Sequence, residues 1–328
     1  MHKCLPNNSA NHSHAHHARG YLYIACAGLC WAISASLGKA VFSGRAMPGG
    51  HPLAPLDAEI LSQTRTTISF LILAPLLVAL RGGRALAISW RDLLRCVVLG
   101  ILGLAASNFL YYFAIAKGSV SIAIIVQYTA PVWVLLYMVA RGRERATAVK
   151  VGSTLAALAG IAMAIGMVGQ TALKLNWIAV AASLGAAFSF SFYNIYGRKL
   201  LTAHDRWKVM TYAMMGAAMF WLVVNPPTKI VAAHYDLGQW IFMLVFALTS
   251  MLIPFAFYFS GLHHLDPTRA IVTSCLEPVF TVLIAATFLS ENFGAMQALG
   301  MALVLAASIA IQIQEQPGAG LADPQVAV

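Results

Sequence analysis

The chain reads as an all-α integral membrane protein whose ten transmembrane helices form two inverted five-helix repeats. Composition is the first ground: 60% of residues are hydrophobic, 10% are charged and the mean hydropathy is +0.75, a balance foreign to soluble domains. Second, apolar runs long enough to cross ~30 Å of hydrocarbon recur near 21–42, 57–80, 92–116, 119–140, 147–169, 175–198, 208–225, 239–262, 269–289 and 293–313. The junctions around Gly118 and Asn292 are tight, so nine spans is the competing count. Third, sliding the chain by 147 positions lays Ala130-Pro131-Val132-Trp133 over Glu277-Pro278-Val279-Phe280, Tyr111 over Tyr258, Ala123 over Ala270 and Glu144 over Glu291.

In chain order, residues 1–19 form a polar cytoplasmic tail carrying His2, His12, His14, His16 and His17. Closely spaced imidazoles can buffer a metal ion, but an unstructured leader is the plainer reading and no metal site is assigned. The first repeat is expected over 20–170, the second over 171–315 and a cytoplasmic tail over 316–328. With the N-terminus inside, fifteen Lys and Arg fall in inside segments, against Arg45, Lys117, Lys174 and Lys229 outside; the positive-inside rule therefore puts both termini in the cytoplasm. Five helices is an odd number, so the second half enters the membrane upside down. Gly152, Ala156, Gly160 and Ala164, then Gly294, Ala298, Ala302, Ala306 and Ala310, form small-residue ridges on the fifth and tenth spans. Such ridges let helix backbones approach closely.

The chain is organised around 274–281, Ser-Cys-Leu-Glu-Pro-Val-Phe-Thr. A carboxylate deep in an apolar span costs at least ~3 kcal/mol on insertion scales, so Glu277 faces protein or water and is a functional candidate by default. Pro278 withholds a donor from the Ser274 carbonyl. Ser274, Glu277, Pro278 and Thr281 follow i, i+3, i+4, i+7 spacing, which predicts one polar helix face. The alternative role of Glu277 is a carboxyl paired with Lys39 or Arg65 that only locks two helices together.

Taken together, these features resemble the EamA-type transporters of the drug/metabolite transporter superfamily. The resemblance rests on Tyr258-Phe259 through Ala270, the Leu276-to-Phe280 stretch, Glu291 and Gly300, with Trp31 and Arg65 at the first half's usual Trp and Arg positions. It covers about 21–313. The first half reads Gln127-Tyr128-Thr129-Ala130-Pro131, without a glutamate before the proline, so any role for that acid rests on Glu277. The resemblance implies a ten-helix carrier with a central cavity lined mainly by helices 1, 3, 4, 6, 8 and 9, while 5 and 10 pack peripherally.

Other candidate site residues are polar or amphipathic groups within spans. Trp31 and Ser34 share one face of the first helix with Gly38; Pro131 and Gln127 mark the first-half equivalent of the Glu277 site; Arg65, Asn108, Tyr112, Tyr128, Asn194 and Tyr258 complete the set. Each has a structural alternative: snorkelling or pairing for Arg65, core packing for Trp31, interhelical hydrogen bonds for the others. No Walker lysine motif, dinucleotide fingerprint, His-Glu-x-x-His or Gly-x-Ser-x-Gly elbow occurs, which argues against ATP-driven pumping, zinc proteolysis and serine hydrolysis. No cofactor is expected. The basic residues are explained by membrane orientation, so no nucleic-acid partner is expected either. The expected partners are the lipid bilayer, a small-molecule solute and, given the lone acid, protons; the chain is a monomer or homodimer. The reading is thus a secondary-active transporter exporting small metabolites or amino acids by alternating access, in a bacterial inner (plasma) membrane. A polytopic membrane enzyme or receptor is the alternative from another class.

Overall fold

The computed structural model describes residues 8–42, 58–117, 120–164, 176–288 and 294–313. Every regular element among them is helical. In order these are α1 (Asn8–Phe42), α2 (Ala58–Arg81), α3 (Trp90–Val98), α4 (Ala106–Lys117), α5 (Val120–Gln127), α6 (Ala130–Ala140), α7 (Ala148–Ala164), α8 (Trp177–Leu201), α9 (Arg206–Val224), α10 (Pro227–Ala232), α11 (Leu237–Ala247), α12 (Ile253–His264), α13 (Pro267–Ser274), α14 (Leu276–Phe288) and α15 (Ala295–Ile313). A short 3₁₀ turn, Gly83–Leu86, precedes α3, and π-helical segments Leu99–Ala105 and Leu248–Leu252 join α3 to α4 and α11 to α12. Among the described residues, five helical stretches have the length and hydropathy to cross a bilayer: Glu59–Arg81, Trp90–Ala114, Trp177–Leu201, Arg206–Val224 and Leu237–His264. Shorter apolar helices accompany them. Large side chains such as Leu71, Leu80, Val223 and Ile309 are exposed around the outside, a surface that suits acyl chains and not water.

The helix starts where its residues say it should. Asn176 caps α8 by accepting from the Ile178 and Ala179 amides, and Asp236 and Gln239 form a reciprocal capping box at α11. At the amino end the structure differs from the expected unstructured leader, because α1 already begins at Asn8. Elongating an existing helix costs far less than nucleating one, so the apolar span carries the helix back into the histidine-rich stretch.

The 147-residue offset reappears in the element boundaries. It lays Trp90 on Leu237, Lys117 on His264, Val120 on Pro267, Gln127 on Ser274 and Ala148 on Ala295, each pair being two helix starts or two helix ends. The π segments end at Ala105 and Leu252, also 147 apart. Glu291 and the junctions at Gly118 and Asn292 lie outside the described residues.

α7 and α15 pack along their small residues, as expected, but not along the whole anticipated ridge. The contact on α15 runs through Gly300, Val304, Ala307 and Ile311, while Ala302, Ala306 and Ala310 are exposed. A strict four-residue spacing drifts around a helix of 3.6 residues per turn, so a straight contact line must alternate threes and fours.

Candidate functional site

The site assembles where α1 meets α13 and α14, with α6 and α8 against α13. Here the sequence expectation needs one correction. Ser274, Glu277, Pro278 and Thr281 do not share one unbroken helix face, because the helix is interrupted at Cys275. Pro278 has no amide hydrogen to give to the Ser274 carbonyl, and its ring crowds that turn of helix. The chain tightens instead, and the Cys275 amide bonds back to the Val272 carbonyl at 3.1 Å. The first half breaks at the matching place. Tyr128 and Thr129 separate α5 from α6, Pro131 sits in the first turn of α6, and the Thr129 amide reaches the Val126 carbonyl at 3.2 Å.

Ser274 therefore belongs to α13. It is buried, donates to the Ile271 carbonyl at 2.7 Å and lies within hydrogen-bonding reach of Tyr258. Glu277 opens α14, followed by the buried Pro278 and by Thr281, whose hydroxyl returns to the Glu277 carbonyl at 2.9 Å. Glu277 keeps accessible surface, although protein surrounds it. The Tyr128 hydroxyl is within hydrogen-bonding reach of its carboxyl, and Tyr111 interacts with it electrostatically. The α1 backbone comes close at Gly28, where a Cβ would stand 3.5 Å from the Glu277 amide nitrogen. Gln127, Tyr128, Thr281 and Glu277 are all partly accessible, so the two helix breaks present a polar, part-exposed surface.

The remaining candidates fall into two groups. Tyr258 donates to Asn194 Oδ1, and Asn194 Nδ2 donates to the Phe190 carbonyl, both residues being fully buried. Trp31 packs edge-on to Phe255 at 5.2 Å and against Tyr258 at 5.4 Å, and Ser34 bonds to its own helix at the Cys30 carbonyl. This group is an aromatic and polar seam of the bundle. The second group is Arg65, Asn108 and Tyr112: Arg65 Nη2 donates to Asn108 Oδ1 at 2.5 Å, with its guanidinium carbon 5.8 Å from the Tyr112 ring centre. Among the described residues, Arg65 has no carboxylate partner. The side chain of Lys39 lies outside the described residues.

Sequence reasoning passed over Gly28 and Tyr111 as site residues. Tyr111 stood out only as the repeat equivalent of Tyr258, although its ring lies 5.5 Å from that of Tyr112 and it interacts electrostatically with Glu277. The tandem tyrosines were the available signal. It also missed the ion pair of Glu144 with Lys150, at 2.5 Å and almost wholly buried beside the start of α7.

The EamA-like transporter family model matches this chain twice, over residues 18–166 and 177–312. The chain belongs to the EamA-like transporter family. It is accordingly an integral membrane transporter. Curated relatives of this EamA-like transporter carry matching names. An uncharacterized inner membrane transporter of Salmonella typhimurium, YicL, is 21% identical over 270 residues, covering 78% of this chain and 89% of its own. The threonine/homoserine exporter RhtA of the same species is 25% identical over 222 residues, covering 66% and 71%. An uncharacterized transporter of Archaeoglobus fulgidus is 22% identical, covering 63% and 73%. A crystal structure of another protein, 18% identical, superposes on 92% of this chain and 98% of its own with a TM-score of 0.70. At that identity the likeness establishes the fold.

Proposed function

We propose that this EamA-like transporter is a secondary-active exporter of small metabolites or amino acids, built from two inverted five-helix repeats, ten spans in all. Its substrate site lies at the paired helix breaks, and both termini face the cytoplasm of a bacterial inner membrane. The observation that carries this reading is Glu277: a carboxyl partly accessible inside an apolar bundle, at a helix interruption whose counterpart lies 147 residues earlier. Broken helices free backbone groups to line a midplane site, and repeats rocking about that site open it to each side in turn. Export is favoured by the name of one relative, the threonine/homoserine exporter. Glu277 takes up and releases the coupling proton, with Tyr128 and Tyr111 beside it. Gln127, Thr281, Trp31 and the Asn108–Tyr112 pair border the path, and the Asn194–Tyr258 bond and the two prolines hold its walls.

The test is flux from proteoliposomes loaded with a broad metabolite pool. Saturable loss of particular solutes, faster with an imposed pH gradient, supports a proton-coupled carrier. Catalytic turnover of a solute without its flux would replace the carrier with a membrane enzyme.

A further inference from the structure

The guanidinium of Arg65 is charged under all ordinary conditions, yet the residue is only 8% exposed. Burying such a charge is expensive unless an anion compensates it. Among the described residues, its contacts are uncharged ones: the amide oxygen of Asn108 and the ring of Tyr112. Its Nε hydrogen is buried with no acceptor among the described residues. The acceptor it does have is held rigidly, because Asn108 Nδ2 donates to the Leu104 carbonyl at 2.7 Å and so turns Oδ1 to Arg65.

We propose that Arg65, with Asn108 and Tyr112, is a carboxylate-binding subsite, and that the transported solute carries a single carboxylate. The Nε–H and the neighbouring Nη–H of a guanidinium form two parallel donors that fit the two oxygens of a carboxylate side-on. Asn108 and Tyr112, on either side of it, keep accessible surface. The Tyr112 ring lies 5.5 Å from that of Tyr111, which interacts electrostatically with Glu277, the acid of the proposed transport site. One guanidinium balances one negative charge, whereas a phosphate dianion would ask for more cationic donors. The assignment rests on the carrier reading above and adds the solute's chemistry to it.

The experiment uses the full chain in proteoliposomes loaded with isotope-labelled amino acids and simple monocarboxylic acids, together with the primary amide of each. Wild-type protein is expected to carry at least one free acid about tenfold or more faster than its amide, since the amide leaves a buried donor unmatched. Arg65→Gln is expected to erase that discrimination, and Arg65→Lys, which keeps the charge but loses the fork, to retain part of it. Equal flux of acid and amide through the wild type would overturn the subsite without need of any variant, as would undiminished discrimination in Arg65→Gln. Thermal stabilisation by sodium chloride alone equal to that by the carried acid would assign the guanidinium to an inorganic anion instead. Wild-type flux of uncharged solutes alone would sink the subsite and leave the carrier standing; no flux of any solute, either here or from the broad metabolite pool, would sink both.

Discussion

Gly160 of α7 and Gly300 of α15 meet backbone to backbone. A Cβ on Gly160 would lie 2.7 Å from the Gly300 carbonyl oxygen, and one on Gly300 would lie 2.6 Å from the Gly160 carbonyl oxygen. Both obstacles are main chain, so no side chain can swing aside. In lipid, where hydrophobic burial does not drive helices together, such close approach supplies the dispersion contacts that hold them.

Substituting Gly160 with valine is therefore expected to push α7 and α15 apart at a cost of about 1–3 kcal/mol, the range for overpacking. Gly152 on the same helix is the control, because a Cβ there meets nothing within 4 Å. Gly152→Ala should not destabilise and should stabilise by at most about 1 kcal/mol in mixed micelles, the helix-propensity gain of Ala over Gly. Equal stability of Gly160→Val and wild type would mean this contact is not tight.

This ridge also shows what the sequence could disclose. Spacing alone made α7 and α15 candidates for close packing, because that argument concerns neighbours in the chain; Pro278 pointed to a freed Ser274 carbonyl, but the breaks at Cys275 and at Tyr128–Thr129 were not read from the prolines. Glu277 was legible for the same local reason, being an acid in an apolar run. Which helices meet was not legible. The Arg65–Asn108 bond joins residues 43 positions apart, and no local pattern reports that α2 and α4 lie side by side. The burial of Lys150 was missed similarly: in the sequence it counts as one more cytoplasmic loop cation, until Glu144 folds over against it.

The hydrogen bond from Tyr258 to Asn194 fastens α12 to α8. Tyr258→Phe removes the donor and leaves Asn194 Oδ1 without it. The cost is expected near the ~0.6–1.7 kcal/mol of interhelical hydrogen bonds in membranes, because the unfolded helices also find partners. A double-mutant cycle with Asn194→Leu should return a coupling of that size. A coupling of zero would reduce the pair to incidental proximity.

The Glu144–Lys150 pair should matter more. The two side chains are 4% and 10% exposed, so removing either leaves an almost buried charge uncompensated. Lys150→Met and Glu144→Gln are each expected to destabilise by up to about 3–5 kcal/mol, and the double variant by clearly less than their sum. Additive losses in thermal unfolding would show that water screens the pair.

The last prediction concerns coupling. If Glu277 carries the exchanged proton, Glu277→Gln fixes a neutral group of nearly the same shape at the break between α13 and α14. The carbon skeleton, Pro278 and the Thr281 bond to the Glu277 main-chain carbonyl all remain, so insertion and folding should survive. Flux driven by a pH gradient is then expected to fall by about tenfold or more, in keeping with loss of a group that must change charge during the cycle. Glu277→Asp keeps the acid but shortens its reach toward Tyr128, and should retain part of the flux. Measuring solute flux at several imposed gradients separates the outcomes: the Gln variant should show one rate at every gradient, while the wild-type rate should climb. A Gln variant whose rate still climbs with the gradient would move proton coupling away from Glu277.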